Sequence, residues 1–289
     1  MKAPSAQGDA AAARIDLSTA PRRAIAELFA EIALAAGAEV MSQYADACTP
    51  RLKGDASPVT AADERAEAVI LGLLATRAQP IAVIAEESVA REGLAPIGAD
   101  FILVDPLDGT REFIARNGEF TVNIALVRAG APIVGAVYAP ALERLWFAGE
   151  SAFACIAPIN APLPGPSGRK RLTRRPAPSA GLTALASRSH CDAATEAFLA
   201  KLPIIERRSV GSSLKFCALA EGEADVYPRF GPTMEWDTAA GEAVLRAAGG
   251  VVVAADGGPF WYGKVEAGFR NGGFIAWGDP SLAARNRDA

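Results

Sequence analysis

Two short apolar runs that each end in acidic residues constrain the fold of this chain most. Ile81–Ala85 is followed by a pair of glutamates, and Phe101–Val104 is followed by Asp105. Both runs have the length and composition of buried strands. Ligands collect at the carboxyl ends of strands in open α/β sheets. The sequence therefore predicts a layered fold in which carboxylates meet at one sheet edge.

The remaining pattern alternates between helical and extended periodicity, which predicts an α+β (α/β layered) fold class. A turn at Ala129-Gly130 joins two of the predicted strands. The predicted helices are Ala24–Tyr44, Ala61–Arg77, Ala193–Ala200, Leu214–Glu221 and Asp237–Ala248. The further predicted strands are Phe120–Val127, Pro132–Tyr138, Leu145–Phe147, Leu182–Ala186 and Val251–Ala254.

Composition suggests three parts along the chain. Residues 1–20 are Ala-rich and are predicted to form a loose leader, and residues 21–165 form an N-terminal α+β half that binds metal. Ala157–Pro178, rich in Pro, Gly, Arg and Lys, is the predicted crossing into a C-terminal α/β half, residues 166–289.

The net charge and the numbers of histidine and cysteine residues restrict the classes of function that fit this chain. A net charge of −4 disfavours a protein that coats nucleic acid. The single histidine, His190, excludes a multi-histidine metal site, so oxygen ligands must hold any metal, which favours Mg²⁺, Ca²⁺ or Mn²⁺. The four cysteines form no Cys-x-x-Cys pair and are predicted to be free thiols in a reducing cytosol. They are Cys48, Cys155, Cys191 and Cys217.

The N-terminal region carries no signal-peptide pattern. The apolar stretch Ala24–Ala38 is interrupted by Glu27 and Glu31, so it is predicted not to span a membrane. We therefore expect no stable membrane insertion.

The segment Asp105–Thr110 reads Asp-Pro-Leu-Asp-Gly-Thr and supports two interpretations. Pro and Asp-Gly are common turn formers, so it could be a simple turn. The same turn could bring Asp105, Asp108 and the Leu107 carbonyl to one point. Mg²⁺ held by such oxygens neutralises phosphate charge and activates water, as phosphoryl transfer to water requires.

Three further acidic positions are equally ambiguous on their own. Asp63 lies three residues after Thr60, which is a capping-box pattern at a helix start. Asp237 precedes a predicted helix, where an acid interacts well with the helix dipole. Glu86 and its neighbour could be a solvated pair. Each could instead face a metal cluster.

Together these segments resemble the inositol monophosphatase superfamily. Val104–Thr110 is preceded by Glu86-Glu87 and followed by Glu-Trp-Asp-Thr-Ala-Ala-Gly at Glu235–Gly241, in the order typical of that superfamily. Within it, the chain looks most like the CysQ-type 3′(2′),5′-bisphosphate nucleotidases. The segments carrying this resemblance are Lys53–Asp63, Arg111–Ile114, Gly118–Ala125, Ala186–His190, Gly211–Cys217 and Ala224–Asp237.

The resemblance implies the sugar-phosphatase fold, an αβαβα sandwich, and a metal-dependent hydrolysis. It implies two or three Mg²⁺ ions, one of which inhibitory Li⁺ displaces. Asp63 and Thr110 would position and deprotonate the attacking water, with Thr110 relaying to Asp63. The amides of Gly109 and Thr110 would contact the scissile phosphate, and Asp237 would also line the substrate site. The implied metal ligands are Glu86, Asp105, the Leu107 carbonyl, Asp108 and Asp237.

The same resemblance implies a pocket for the nucleotide in the C-terminal half. Candidates for the second phosphate are His190, Ser212, Lys215 and Arg229, and lysine and arginine suit phosphate as point charge and bidentate fork. Other interpretations stay open: surface charges at Lys215 and Arg229, a loop histidine, and a Ser212-Ser213 helix cap. The basic stretch Arg169–Arg175 could be a solvated loop or could steer an anionic substrate.

The expected reaction is hydrolysis of 3′-phosphoadenosine 5′-phosphate to AMP and phosphate. The rival within the same chemistry is an inositol or fructose bisphosphate phosphatase. A catalytically silent metal- or partner-binding protein would have lost acidic ligands, which are all present here. The absence of Gly-x-Gly-x-x-Gly between a strand and a helix disfavours a dinucleotide oxidoreductase. We expect a monomer or homodimer, in the cytoplasm or peripheral on the inner membrane's cytoplasmic face, that binds no nucleic acid polymer.

Overall fold

A computed structural model describes residues 14–45, 51–52, 58–94, 96–186 and 192–287. Its helices are α1 (Arg22–Ala45), α2 (Ala61–Arg77), α3 (Glu86–Glu92), α4 (Thr110–Ile114), α5 (Ala193–Leu199), α6 (Leu214–Glu221), α7 (Ala239–Ala248) and α8 (Pro280–Arg287). Short 3₁₀ helices occupy Pro140–Leu142, Pro166–Gly168 and Val265–Ala267.

The strands fall into two large sheets and two short ribbons. The first sheet contains β3 (Ala82–Ala85), β4 (Asp100–Asp108), β5 (Thr121–Arg128), β6 (Ala131–Ala139), β7 (Arg144–Ala148), β8 (Ala152–Ile156) and β9 (Lys170–Arg171), in that order. The second contains β10 (Leu182–Ala186), β11 (Ile204–Ser209), β12 (Val226–Arg229), β14 (Val251–Ala254) and β16 (Phe274–Trp277). The ribbons pair β1 (Arg51–Leu52) with β2 (Pro58–Val59), and β13 (Thr233–Met234) with β15 (Arg270–Asn271).

The first sheet is a meander with one parallel edge. β3 and β4 are parallel, and the pairs from β4 through β9 are antiparallel. The second sheet has the order β11-β10-β12-β16-β14, with β10 parallel to both of its neighbours. Short connections from β5 through β8 explain that part of the antiparallel meander, α4 lies in the longer connection from β4 to β5, and parallel pairs need a crossing segment.

Helices lie between and outside the sheets. α1 and α2 cover one face of the first sheet, and α6 and α7 lie against its other face and against the second sheet. α5 contacts β12, the central strand of the second sheet, and α8 contacts β14 and β16. The predicted αβαβα layering is confirmed.

The layers are closely packed. A Cβ on Gly135 of β6 would lie 2.5 Å from the carbonyl oxygen of Ala240, so only glycine lets α7 approach this strand. Three apolar cores separate the layers, each buried between a sheet and its helices. The sheets therefore form a rigid frame for the strand ends.

The main correction to the predicted elements concerns β4. It was expected to end at Val104, but it continues to Asp108 with a register shift between Asp105 and Asp108. The two aspartates therefore belong to a bulged strand end rather than to a loop after a strand. Bulges of this kind redirect side chains, which suits a site at a sheet edge.

Other differences concern short elements and one helix start. The helix predicted from Asp237 begins at Ala239, and α3, α8, β8, β11, β12 and β16 were not predicted. The predicted crossing contains β9, which pairs with β8. Ile15 and Leu17, in the predicted leader, pack against the first core. The division into a leader and two halves stays a prediction.

Candidate active site

Three carboxylates that are far apart in the chain meet at the end of the first sheet. Oxygens of Glu86, Asp105 and Asp237 all lie within 4.8 Å of one another. Glu86 opens α3 directly after β3, Asp105 lies in the parallel neighbour β4, and Asp237 lies just before α7. The strand ends thus bring together the carboxylates that the sequence predicted to converge.

Asp108 lies beside this group, and hydrogen bonds to one of its two carboxylate oxygens hold the side chain in place. Its Oδ2 accepts hydrogen bonds from Ser212 Oγ at 2.6 Å, Ser213 N at 2.7 Å and Ser213 Oγ at 3.0 Å. Asn123 Nδ2 is a fourth, longer donor at 3.4 Å. Because these bonds all use Oδ2, the side chain is fixed while Oδ1 makes no hydrogen bond within the described residues.

The cluster is electrostatically unfavourable without a cation. Burial, followed by the charges of Glu86, Asp108 and Asp237, raises the pKa of Asp105 well above its usual value. Burial, followed by Asp108 and Glu86, raises the pKa of Asp237 to about 8. Like charges at close range in a poorly solvated place favour protonation or a bound cation.

The donor set fits Mg²⁺. The cluster offers carboxylate oxygens, and the Leu107 carbonyl oxygen lies beside it, 3.4 Å from Thr110 Oγ1. Hard oxygen donors on a rigid strand end suit Mg²⁺ rather than zinc. Glu86, Asp105 and Asp237 would hold the ion, with Asp108 and the Leu107 carbonyl as the further proposed ligands.

Asp63 completes the predicted capping box and also contacts Thr110. Its Oδ2 accepts hydrogen bonds from Thr60 N and Thr60 Oγ1, both at 2.7 Å, which completes a capping box at the start of α2. Its Oδ1 accepts a hydrogen bond from Thr110 Oγ1 at 3.2 Å. The cap therefore orients the carboxylate toward Thr110.

The turn interpretation of the Asp-Gly pair is also compatible with a site. Gly109 has φ 94° and ψ 43°, a left-handed conformation that glycine adopts without strain. A Cβ there would approach the Glu119 carbonyl oxygen to 3.2 Å. Gly109 thus reverses the chain between β4 and α4 and places Thr110 next to Asp63.

A cavity of about 370 Å³ adjoins the carboxylates. One wall, which we call the carboxylate wall, contains Glu86, Asp108, Thr110 and Asp237. The other, which we call the donor wall, comes from the C-terminal half and presents nitrogen and hydroxyl groups. Its members are Ser212, Lys215, Arg229, Thr233 and Arg270.

Lys215 is not a surface charge, because it is 3% exposed. Its Nζ donates to the carbonyl oxygens of Val210 at 3.0 Å and Ser212 at 2.7 Å. Burial lowers the pKa of Lys215 to about 8, and the nearby charge of Asp108 opposes that shift. The ammonium group is therefore charged at neutral pH, and it supports the chain segment that holds Asp108.

Arg229 and the two serines also have defined partners. Arg229 Nη2 donates to the Pro232 carbonyl oxygen at 2.9 Å. Ser213 occupies the N-cap position of α6 but makes no side-chain cap bond; its single hydroxyl proton has two acceptors within reach, the Asp237 carbonyl oxygen at 2.7 Å and Asp108 Oδ2 at 3.0 Å. The helix-cap interpretation of Ser212-Ser213 is wrong, and these serines tie the C-terminal half to the cluster.

Two further interpretations need correction. Asp237 is not a helix cap: Thr238 is the N-cap of α7, and Asp237 Oδ2 accepts from Met234 N at 2.9 Å. Arginines of the 169–175 stretch are not simply solvated. Arg169 pairs with Glu27, Arg174 with Asp279 and Arg175 with Asp225.

Several supporting residues gave no signal in the sequence. Glu67 of α2 accepts hydrogen bonds from Glu87 N at 2.8 Å and Ser88 Oγ at 2.7 Å, and so fixes the first turn of α3 behind Glu86. Glu235 accepts from Gly263 N at 2.7 Å, and Asn271 Nδ2 donates to the Met234 carbonyl at 3.0 Å. Only the spacing Asp63–Glu67, one helical turn, could have suggested the first of these.

Some predicted residues lie outside the described part of the chain. They are His190, Cys48, Cys191 and the 53–57 portion of the Lys53–Asp63 segment. Cys155 and Cys217 are buried free thiols, as predicted. Among the described residues, no helix is both long and apolar enough to cross a membrane.

Comparison with known proteins identifies the family. The inositol monophosphatase family matches this chain over residues 22–277. The chain belongs to this family. The CysQ 3′(2′),5′-bisphosphate nucleotidase of Escherichia coli K12 is 44% identical over 247 residues, which cover 84% of this chain and 96% of the relative.

Solved structures of the inositol monophosphatase family share the fold. The crystal structure of CysQ from Bacteroides thetaiotaomicron has a TM-score of 0.73 at 40% identity, covering 88% of this chain and 97% of that one. An inositol monophosphatase from Zymomonas mobilis has a TM-score of 0.73 at 23% identity, covering 93% and 98%. The resemblance to the family and the fold class, both predicted from sequence, are therefore confirmed.

Proposed function

We propose that this chain is a metal-dependent 3′(2′),5′-bisphosphate nucleotidase, a phosphoric monoester hydrolase that converts 3′-phosphoadenosine 5′-phosphate to AMP and phosphate. The observation that carries the proposal is one cavity with two complementary walls, carboxylates on one and a buried lysine with two arginines on the other. A substrate with two separate phosphates satisfies both walls at once. The 44% identity to the E. coli nucleotidase supports this choice.

Mg²⁺, when bound by the carboxylate wall, supplies positive charge for the scissile phosphate and acidifies a water. The carboxylate wall itself holds the positive charge of the ion in place. Asp108 is immobilised through Oδ2, and Asp237 through its bond from Met234 N. We propose two or three ions, with Li⁺ displacing one.

Thr110 and Asp63 remove the proton from the attacking water. Thr110 Oγ1 donates its own proton toward Asp63 Oδ1 at 3.2 Å, so its oxygen lone pairs can accept a proton from water. As the water oxygen bonds to phosphorus, the water proton moves to Thr110 Oγ1 and the hydroxyl proton moves to Asp63. The bond between phosphorus and the ribose oxygen breaks, and that oxygen takes a proton from solvent.

The neighbouring backbone binds the reacting phosphate. We propose that the amides of Gly109 and Thr110 contact it, since both residues line the cavity beside Asp108. Ser212, Lys215 and Arg229 of the donor wall, together with His190, form the proposed subsite for the second phosphate. Asp237 lines the substrate site as well as the metal cluster.

A substrate panel tests the proposal. Rates with 3′-phosphoadenosine 5′-phosphate and with inositol 1-phosphate are compared in Mg²⁺, in Mg²⁺ with Li⁺, and with chelator. We expect a preference for the nucleotide, inhibition by Li⁺ and no turnover with chelator. A preference for inositol 1-phosphate would reject the nucleotidase in favour of a sugar phosphatase. Tight metal binding without any hydrolysis would favour a silent binding protein.

Other parts of the proposal concern location and assembly. We propose that the enzyme acts in the cytoplasm, or bound peripherally at the cytoplasmic face of the inner membrane, as a monomer or homodimer. Its ligand is a small nucleotide rather than a nucleic acid polymer, consistent with the acidic net charge of −4.

A further inference from the structure

The donor wall contains two buried polar atoms without a hydrogen-bond partner among the described residues: Thr233 Oγ1 and Arg229 Nε. Both residues line the active-site cavity, and Thr233 is 6% exposed. Buried polar atoms are nearly always paired, so an unpaired one next to a cavity indicates where a ligand atom belongs. Two such atoms on one wall indicate a small polar subsite.

The chain around these atoms is well supported. Thr233 belongs to β13, where it pairs with Asn271 of β15. Asn271 Nδ2 also donates to the Met234 carbonyl at 3.0 Å, and Arg229 Nη2 donates to the Pro232 carbonyl at 2.9 Å. The two unpaired groups are therefore carried by a segment that is tied down at both ends.

The chemistry of the two groups defines the ligand atom. Arg229 Nε is only a donor, and a threonine hydroxyl can donate or accept. Lys215 lines the same cavity, and the charge of Arg229 is close enough to lower its pKa further. Two cations that repel each other beside two unpaired donors favour a ligand oxygen with negative charge.

We propose that Thr233 is a specificity-determining residue that binds, with Arg229, an oxygen of the nucleotide's second phosphate. This inference rests on the proposed nucleotidase function and adds to it a residue to which the resemblance assigned no role. It also gives Lys215 and Arg229 different roles. Lys215 has two backbone carbonyls as partners, whereas Thr233 Oγ1 and Arg229 Nε have no hydrogen-bond partner among the described residues.

Thr233→Val removes the hydroxyl with little change of shape, and Thr233→Ser keeps a hydroxyl as the matched control. For each protein, kcat/KM is measured with 3′-phosphoadenosine 5′-phosphate and with 3′-AMP, which lacks the second phosphate. We expect Thr233→Val to lower the ratio of the two values about tenfold, mainly through KM for the bisphosphate, as loss of a charge-assisted hydrogen bond implies. Thr233→Ser should restore most of the ratio.

An unchanged ratio in Thr233→Val would overturn the proposal, because a merely structural role would affect both substrates alike. If that variant does not fold, Thr233→Ala is tested by calorimetric titration with AMP and with adenosine. Affinity for AMP should fall about tenfold relative to adenosine; an equal change for both would overturn the proposal. A wild-type enzyme that shows no preference for the bisphosphate over 3′-AMP would instead reject the proposed function itself.

Discussion

The two walls of the cavity differ in what each one lacks. The carboxylate wall concentrates negative charge, which raises the pKa of Asp105 and Asp237, so it lacks a cation. The donor wall has a buried lysine and two unpaired polar atoms, so it lacks an anion. Metal ions supply the cation that the carboxylate wall lacks, and they bind one phosphate of the substrate. The second phosphate supplies the anion that the donor wall lacks. The comparison suggests that catalysis and specificity can be impaired separately.

The largest effect is expected from Asp108→Asn on the carboxylate wall. The amide can still accept the bonds from Ser212 and Ser213 but lacks the charge that attracts a cation. We expect kcat to fall by about 10³-fold, near the upper end for one electrostatic group, with a melting temperature close to wild type. The control is Asp100→Asn, at the opposite end of the same strand. Near-normal turnover in Asp108→Asn would remove Asp108 from the mechanism.

Thr110→Ala breaks the proton relay on the same wall. The hydroxyl that links water to Asp63 Oδ1 is lost, so kcat should fall about 10²-fold, within the range for general acid–base catalysis. Thr110→Ser keeps the hydroxyl and should retain most of the activity. Steady-state rates at saturating Mg²⁺ measure both variants. If serine and alanine are equally impaired, the role of Thr110 is steric rather than chemical.

Lys215→Met tests the donor wall and should affect the two substrates unequally. Loss of the buried charge should raise KM for the bisphosphate nucleotide about tenfold, and raise KM for 3′-AMP less, because only the bisphosphate carries the second phosphate. Lys170→Met, at an exposed position in β9, is the matched control. Equal increases for the two substrates would show that Lys215 does not sense the second phosphate.

Glu67→Gln should weaken metal binding from behind the carboxylate wall. Two different oxygens of Glu67 accept the hydrogen bonds from the Glu87 N–H and the Ser88 hydroxyl, and glutamine has only one side-chain oxygen. The first turn of α3 and Glu86 therefore lose support. We expect Mg²⁺ affinity to fall about tenfold, at the lower end for residues that support a metal ligand through hydrogen bonds, with kcat largely recovered at high Mg²⁺. Glu64→Gln, on the exposed side of the same helix, is the control. Unchanged Mg²⁺ affinity would mean that Glu67 serves stability alone.

The smallest effect concerns pH and stability. Burial and nearby carboxylates raise the pKa of Asp237 from 3.8 to about 8 in the metal-free protein. An acid with a raised folded pKa destabilises the fold increasingly as pH rises from about 4 to 8, and bound Mg²⁺ relieves that penalty. The rise in melting temperature on adding Mg²⁺ should therefore be greater at pH 8 than at pH 5.5, by about 2–4 °C. Asp237→Asn should reduce the difference, and a rise independent of pH would contradict this account.

The two walls also differ in how well the sequence predicted them. At the carboxylate cluster, Glu86 and Asp105 each directly follow an apolar run, so the position of those runs predicted where the two acids meet. On the donor wall, Lys215 and Arg229 could not be distinguished from surface charges without the family resemblance. Thr233 was assigned no role from the sequence, because its partner across the ribbon, Asn271, lies far along the chain.

The sequence by itself determined the layered fold class, the acids at the strand ends, the capping box at Asp63 and an oxygen-only set of metal ligands. Hydrophobic periodicity and local turn chemistry are short-range signals, so they can be read along the chain. Only the tertiary structure decided that β4 continues to Asp108, that Ser213 ties Asp108 to the C-terminal half, and that Thr233 is left unpaired. These features depend on which groups distant in the chain come close enough to form a hydrogen bond. That follows from packing rather than from local pattern.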